Sequence, residues 1–130
     1  MVQTGNPNVY TIYAGKFELG LGEGVTMENA SMMLTNANEA IFMGNCKVVA
    51  YTEGEPILEL PEQCYPPLMF TIPVYHKDGA GVCKIVPLEI YPNGDVSCPV
   101  ALTDGALYTG GRSFNIGGNW YGSEGGESNG

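Results

Sequence analysis

Basic residues are scarce in this chain. Lys and Arg together number 5 against 14 Asp and Glu, for a net charge of -9. Nucleic-acid binding needs clustered Lys and Arg, so the balance argues against that class and against docking to an anionic membrane surface. It fits a self-repelling, soluble surface or a basic partner. No apolar run approaches the roughly 20 residues needed to cross a bilayer. Met1 is followed by polar residues, without the basic start and apolar segment of a secretory signal, so synthesis in the cytosol is expected. The cysteines, Cys46, Cys64, Cys83 and Cys98, never stand in CxxC spacing, which argues against zinc-ribbon and redox motifs. They are expected to be reduced and mostly buried, behaving as small hydrophobes.

Catalytic groups are equally thin. The only histidine, His76, falls in the polar run His76–Gly81, where a solvated loop side chain is the expectation. No Ser-His-Asp set stands in a nucleophile-elbow context. The carboxylates Glu53, Glu55, Glu59, Glu62, Glu89, Asp95 and Asp104 show no spacing that singles out a glycosidase pair. The glycine loops match no calcium-loop pattern, and Gly110-Gly111-Arg112 lacks the strand-then-helix context of a phosphate loop. The residues therefore predict a non-enzymatic protein with no metal and no cofactor.

What is abundant is turn chemistry. Gly numbers 19 and Pro 9, and they punctuate short apolar runs in a chain with only 15% charged residues. That is the composition of an all-β domain, and strand-like runs recurring every 8–12 residues or so suggest an antiparallel sandwich or a jelly roll. The chain length fits one domain, read as residues 1–121, with an extended arm at 1–8 and a flexible, Gly-rich acidic tail at 122–130.

The strongest local signal is Tyr91-Pro92-Asn93-Gly94-Asp95, between two strand-like runs in Cys83–Val100. Asn-Gly alone suits a two-residue turn. Pro92 instead pre-sets a type I turn, with Gly94 in the left-handed position that follows, giving a three-residue loop with a G1 bulge. In that register Ile90 opposes Val96, Leu88 opposes Cys98 and Val86 opposes Val100, all on one face. A one-residue slip would scatter them. Elsewhere, strands are expected at 9–13, 16–21, 31–35, 40–43, 46–52, 68–75, 106–109 and 113–116. Ala14-Gly15 should break the first pair, Val25–Ala30 should turn, and Pro73 should mark an edge or a bulge. Leu60–Pro67, with three prolines, reads as an ordered surface loop.

The run Leu60-Pro61-Glu62-Gln63-Cys64-Tyr65-Pro66-Pro67 precedes Leu88-Glu89-Ile90-Tyr91-Pro92-Asn93-Gly94-Asp95-Val96 and a closing Ser113-Phe114-Asn115-Ile116. Over about Gly44 to Tyr121 this resembles the C-terminal β-sandwich domain of bacteriophage tail-fibre, baseplate and head-fibre proteins. There, "LP-x-x-x-x-P" precedes "I-x-x-(D/N)-G-x-V". The resemblance implies an antiparallel jelly-roll-like β-sandwich that assembles as a homotrimer about a three-fold axis, with a place in the virion. Its partners would be capsid or baseplate proteins, or a host-surface glycan. Relatives carry the domain on a long shaft and often have an arginine where Tyr65 stands. A chain without heptads suits a capsid decoration or head-fibre role.

Aromatic residues are the better lead to a binding surface. The 8 tyrosines and one tryptophan suit both sugar stacking and protein interfaces. Trp120 and Tyr121, beside the acidic tail, are the first candidates, and Tyr65 in the proline-rich loop is the next. An ordinary sandwich core would use the same rings.

Overall fold

The structure, a computed structural model, describes residues 13–117. It is all-β, with every paired strand antiparallel. The strands are β1 (Tyr13–Glu18), β2 (Gly20–Leu21), β3 (Val25–Met27), β4 (Ser31–Thr35), β5 (Glu39–Phe42), β6 (Cys46–Val48), β7 (Pro56–Glu59), β8 (Phe70–Asp78), β9 (Cys83–Ile90), β10 (Asp95–Ser97), β11 (Gly105–Tyr108) and β12 (Ser113–Asn115). A four-stranded sheet has the order β1-β4-β5-β12, and an eight-stranded sheet has the order β2-β7-β10-β9-β8-β11-β6-β3.

The larger sheet curls until it is nearly closed, like a barrel. Its two outermost strands, β2 and β3, are joined by Gly22–Gly24 alone. That link is stitched to both flanks. Gly22 N–H donates to Ile57 O at 2.8 Å, and Gly24 O accepts from Val49 N–H at 2.8 Å. A Cβ on Gly22 would stand 2.0 Å from the Pro56 carbonyl oxygen, so the seam needs a residue without a side chain. Near-closure leaves little exposed edge for foreign strands.

Period-2 alternation along β8 and the second half of β9 fills much of the curled sheet. Val74, Val86, Leu88, Ile90, Val96 and Leu107 are all buried, each contributing about 1.5–3 kcal/mol for its transfer from water. The smaller sheet adds Met32, Ala40, Phe42 and Phe114 to the same core. Phe114 joins the layers, with its ring centroid 6.0 Å from Phe42 in its own sheet and 6.2 Å from Phe70 on β8. The chain changes sheets at Leu19, which is buried between β1 and β2.

The hairpin has the bulged register. Ile90 pairs with Val96, both are fully buried, and Ser97 pairs with Glu89. Tyr91 N–H donates to Asp95 O at 2.9 Å, Gly94 N–H to Tyr91 O at 2.9 Å, and Gly94 sits at φ 95°. Leu88 and Cys98 are fully buried, but the ladder stops at Ser97. β10 pairs with β9 only at Ile90 and Glu89, and Val100 is 42% exposed, so the expected Val86–Val100 pair does not form. Pro99 follows immediately and has no N–H to extend the ladder.

Other boundaries move as well. β1 runs through Ala14-Gly15, with a register shift in place of a break, and Val25–Met27 is a strand, not a turn. β6 stops at Val48, and Ala50 takes a left-handed φ of 55°. β8 continues to Asp78, which moves His76 from the expected loop to an inward position at 1% exposure. Pro73 lies on an interior strand, directly opposite Pro87. Two facing prolines exchange no hydrogen bonds, so theirs is a non-hydrogen-bonded position of the β8–β9 ladder. On its other side, β8 pairs with β11 only from Tyr75 onward, and β9 pairs with β10 only at Glu89 and Ile90. Each proline stands where its strand is locally an edge, which is why an interior strand tolerates it.

Candidate interaction surface

The outer wall of the curled sheet is built by the same alternation that fills its interior. On β8, Val74 and His76 point inward, while Pro73, Tyr75 and Lys77 are exposed. Cross-strand register then sets the neighbours. Tyr108, Tyr75 and Ile85 form one row across β11, β8 and β9, with exposures of 38%, 55% and 61%. The adjoining row is Thr26, Lys47, Ala106, Lys77 and Cys83. Directly opposed side chains in such rows have their Cβ atoms about 4.5–5.5 Å apart, so Tyr108, Tyr75 and Ile85 form a continuous apolar ridge.

Arg112 joins Pro73, Tyr75, Ile85 and Tyr108 around a hollow of about 150 Å³. On its other side Tyr108 borders an open cleft of about 570 Å³ that also has Met27, Glu28, Asn45 and Lys47 on its walls. Of the 5 basic residues in the chain, Lys47, Lys77 and Arg112 are exposed on or beside this wall. An acidic protein thus presents a patch that is aromatic, apolar and locally basic.

A hollow of opposite sign lies at the seam. Glu23, Val49 and Glu55 border a concavity of about 390 Å³, with Val49 58% exposed. Its walls are tied down. Ala50 N–H donates to Asp104 Oδ1 at 2.7 Å. The buried Tyr51 hydroxyl accepts from Cys98 N–H at 2.9 Å and reaches Glu55 O at 2.6 Å. Burial pushes the Tyr51 phenol up from its ordinary pKa.

Tyr65 and the hairpin tip, two separate sequence candidates, are brought together. The Tyr65 ring lies over Gly94, where an added Cβ would stand 2.3 Å from Cε1, and Leu60 N–H donates to Gly94 O at 2.8 Å. Asn93 Oδ1 accepts from Asp95 N–H at 3.0 Å, which holds the turn after Pro92. Tyr65 clasps the tip and stays 41% exposed, next to Leu68 and Met69 at 56% and 45%. This patch sits near Ile90, five residues along β9 from Ile85, or about 17 Å. Trp120 and Tyr121, and the arm and tail, lie outside the described residues.

The carboxylates serve local bonds. Glu89 accepts from the Tyr91 hydroxyl at 2.6 Å, which raises the phenol's pKa, and Asp104 holds Ala50. Glu59 and Asp95 face each other across β7 and β10, and neither lines the hollows described above. Among the described residues, no group of His, Cys, Asp and Glu is arranged to hold a metal ion, and no helix is long and apolar enough to cross a membrane. His76 Nε2 is 2.9 Å from Thr103 O, which can only accept, so Nε2 carries the proton. Its Nδ1 is buried with no hydrogen-bond partner among the described residues.

All the cysteines are free. Cys46, Cys64 and Cys98 are buried and Cys83 is exposed. Burial pushes the Cys46 and Cys64 thiols up to about 11 each, so both are protonated and unreactive near neutral pH.

Reading the sequence for rings alone finds Tyr75 and Tyr108, but not the ridge they build with Ile85. The available signal was the run Cys83–Pro87, where apolar residues fall on both faces of one strand. A scan against protein-family models finds no match to this chain, and a search of curated proteins finds none.

Proposed function

We propose that this chain is a non-enzymatic structural protein of a bacteriophage virion: a head fibre, a capsid decoration protein, or a tail or baseplate fibre domain. In this reading its two sheets form a jelly-roll-like sandwich that works as a homotrimer and mediates virion attachment or assembly. The observation that carries the reading is the exposed ridge Tyr75, Ile85 and Tyr108 on the outer wall of an otherwise well-filled sheet. A domain of this size buries only about two-thirds of its unfolded surface, and symmetric packing removes what is left. The virion placement draws its support from the resemblance, whose residues build the Tyr65 loop and the hairpin tip beneath it. Light scattering on the purified protein tests the assembly. The expected mass is about three times 13.8 kDa at micromolar concentration, and a 13.8 kDa species there would count against it.

A second reading is recognition of a carbohydrate. It is favoured by Tyr108, an exposed ring beside a cleft with Asn45, Glu28 and Lys47 on its walls. Flat rings flanked by hydrogen-bonding groups suit the apolar face and hydroxyl edge of a sugar. A glycan array gives the test: binding that disappears in Tyr108→Ala, with the oligomeric mass unchanged, would support it. An array without hits removes it.

A further inference from the structure

We infer that the basic, aromatic outer wall docks onto the acidic seam hollow of a second copy of this chain, Lys47 and Lys77 meeting Glu23 and Glu55 while Val49 packs against the ridge. The inference rests on the homo-oligomer reading and specifies its interface.

The argument begins with repulsion. At a net charge of -9, two copies repel each other on approach. A stable contact between them must bring cations to the interface, and the chain has few to bring. Lys47, Lys77 and Arg112 are exposed beside the only exposed apolar row that spans three neighbouring strands of the described residues. The seam hollow is complementary in sign, with Glu23 and Glu55 on its rim. It also offers Val49 as an apolar centre.

The hollow is already formed before any partner arrives. Val49 N–H is bonded to Gly24 O at 2.8 Å, Ala50 N–H to Asp104 Oδ1 at 2.7 Å, and Tyr51 is anchored through its hydroxyl. Docking there orders little new backbone, which lowers the entropic cost of association. Because wall and hollow are different surfaces, the contact is heterologous. Repeated head to tail, wall into hollow, the contact makes a ring when the rotation between copies closes, as the three-fold of the proposed homotrimer does. Charged pairs at the rim guide encounter and set register, and the ridge supplies the apolar area.

The test is a charge swap on the full chain, read by light scattering at micromolar concentration with circular dichroism as the folding check. Lys47→Glu with Lys77→Glu places four like charges at each contact, as does Glu23→Lys with Glu55→Lys. Each pair of changes is expected to raise the concentration needed for the oligomer by about 100-fold. All four changes on one chain restore opposite signs at every contact and should restore the wild-type mass. A wild-type oligomer that both double variants retain overturns the interface and leaves the oligomer reading standing. A monomeric wild type instead overturns that reading, and the interface with it. A quadruple variant that folds but stays monomeric also overturns the interface.

Discussion

Tyr51 shows how much a single polar atom can hold in place. Its hydroxyl accepts from Cys98 N–H at 2.9 Å, and its proton is shared between Glu55 O at 2.6 Å and Cys98 O at 3.1 Å. It ties the end of β10 to the loop that shapes the seam hollow. Tyr51→Phe keeps the ring but leaves a buried N–H unsatisfied, and should cost about 1–3 kcal/mol in a urea titration with an unchanged slope. Cys46 governs a different variable. Burial raises its thiol from 9.0 to about 11, so the folded chain holds this proton more tightly than the unfolded chain does. The resulting stability is complete below pH 9 and is lost as pH rises from 9 through 11. At about 1.4 kcal/mol per unit, the loss is on the order of 2–3 kcal/mol. Unfolding free energies measured across that window should fall, and Cys46→Ala should make the decline shallower while leaving the share of Cys64, whose thiol is raised to the same value.

At the scale of elements, the β9–β10 hairpin and the Leu60–Pro67 loop form one unit. Gly94 is required twice, by its φ of 95° and by the Tyr65 ring that occupies the space of a side chain. Gly94→Ala should therefore cost about 1–3 kcal/mol, more than the strain of the turn alone. Gly94→Ala combined with Tyr65→Ala should recover part of that loss, since the second change removes the clash. Thermal melts of the two single variants and the double variant give the coupling directly. The hairpin register could be read from the sequence because turn chemistry and apolar alternation agreed at Ile90 and Val96. The fate of Val86 and Val100 could not, because β10 ends at Ser97, before Pro99, and never reaches Val86. His76 misled for a related reason. A polar run looks like a loop, yet strand pairing with β9 and β11 continues through it and turns the imidazole inward.

For the molecule as a whole, the nearly closed sheet sets a hierarchy of stability. β8 and β9 share the longest ladder, from Phe70–Ile90 to Lys77–Cys83, whereas the seam rests on the two residues of β2 and the three of β3. Amide exchange should be slowest at Val74, Val86 and Leu88. It should be fastest, among paired strands of the larger sheet, at Leu21 and Val25, where opening exposes little core. Uniform protection around the sheet would contradict this order.

Local chemistry alone specified the all-β class, the short strands and the bulged turn at Pro92–Gly94, because each depends on neighbours within a few residues. It also showed that the surface must be acidic, since charge is a sum over the chain. The tertiary structure decided which strands share a sheet, that one sheet curls onto its own seam, and that Tyr108, Tyr75 and Ile85 stand side by side. Those residues are far apart along the chain. Only the cross-strand register, set by which side chains must leave water together, makes them neighbours.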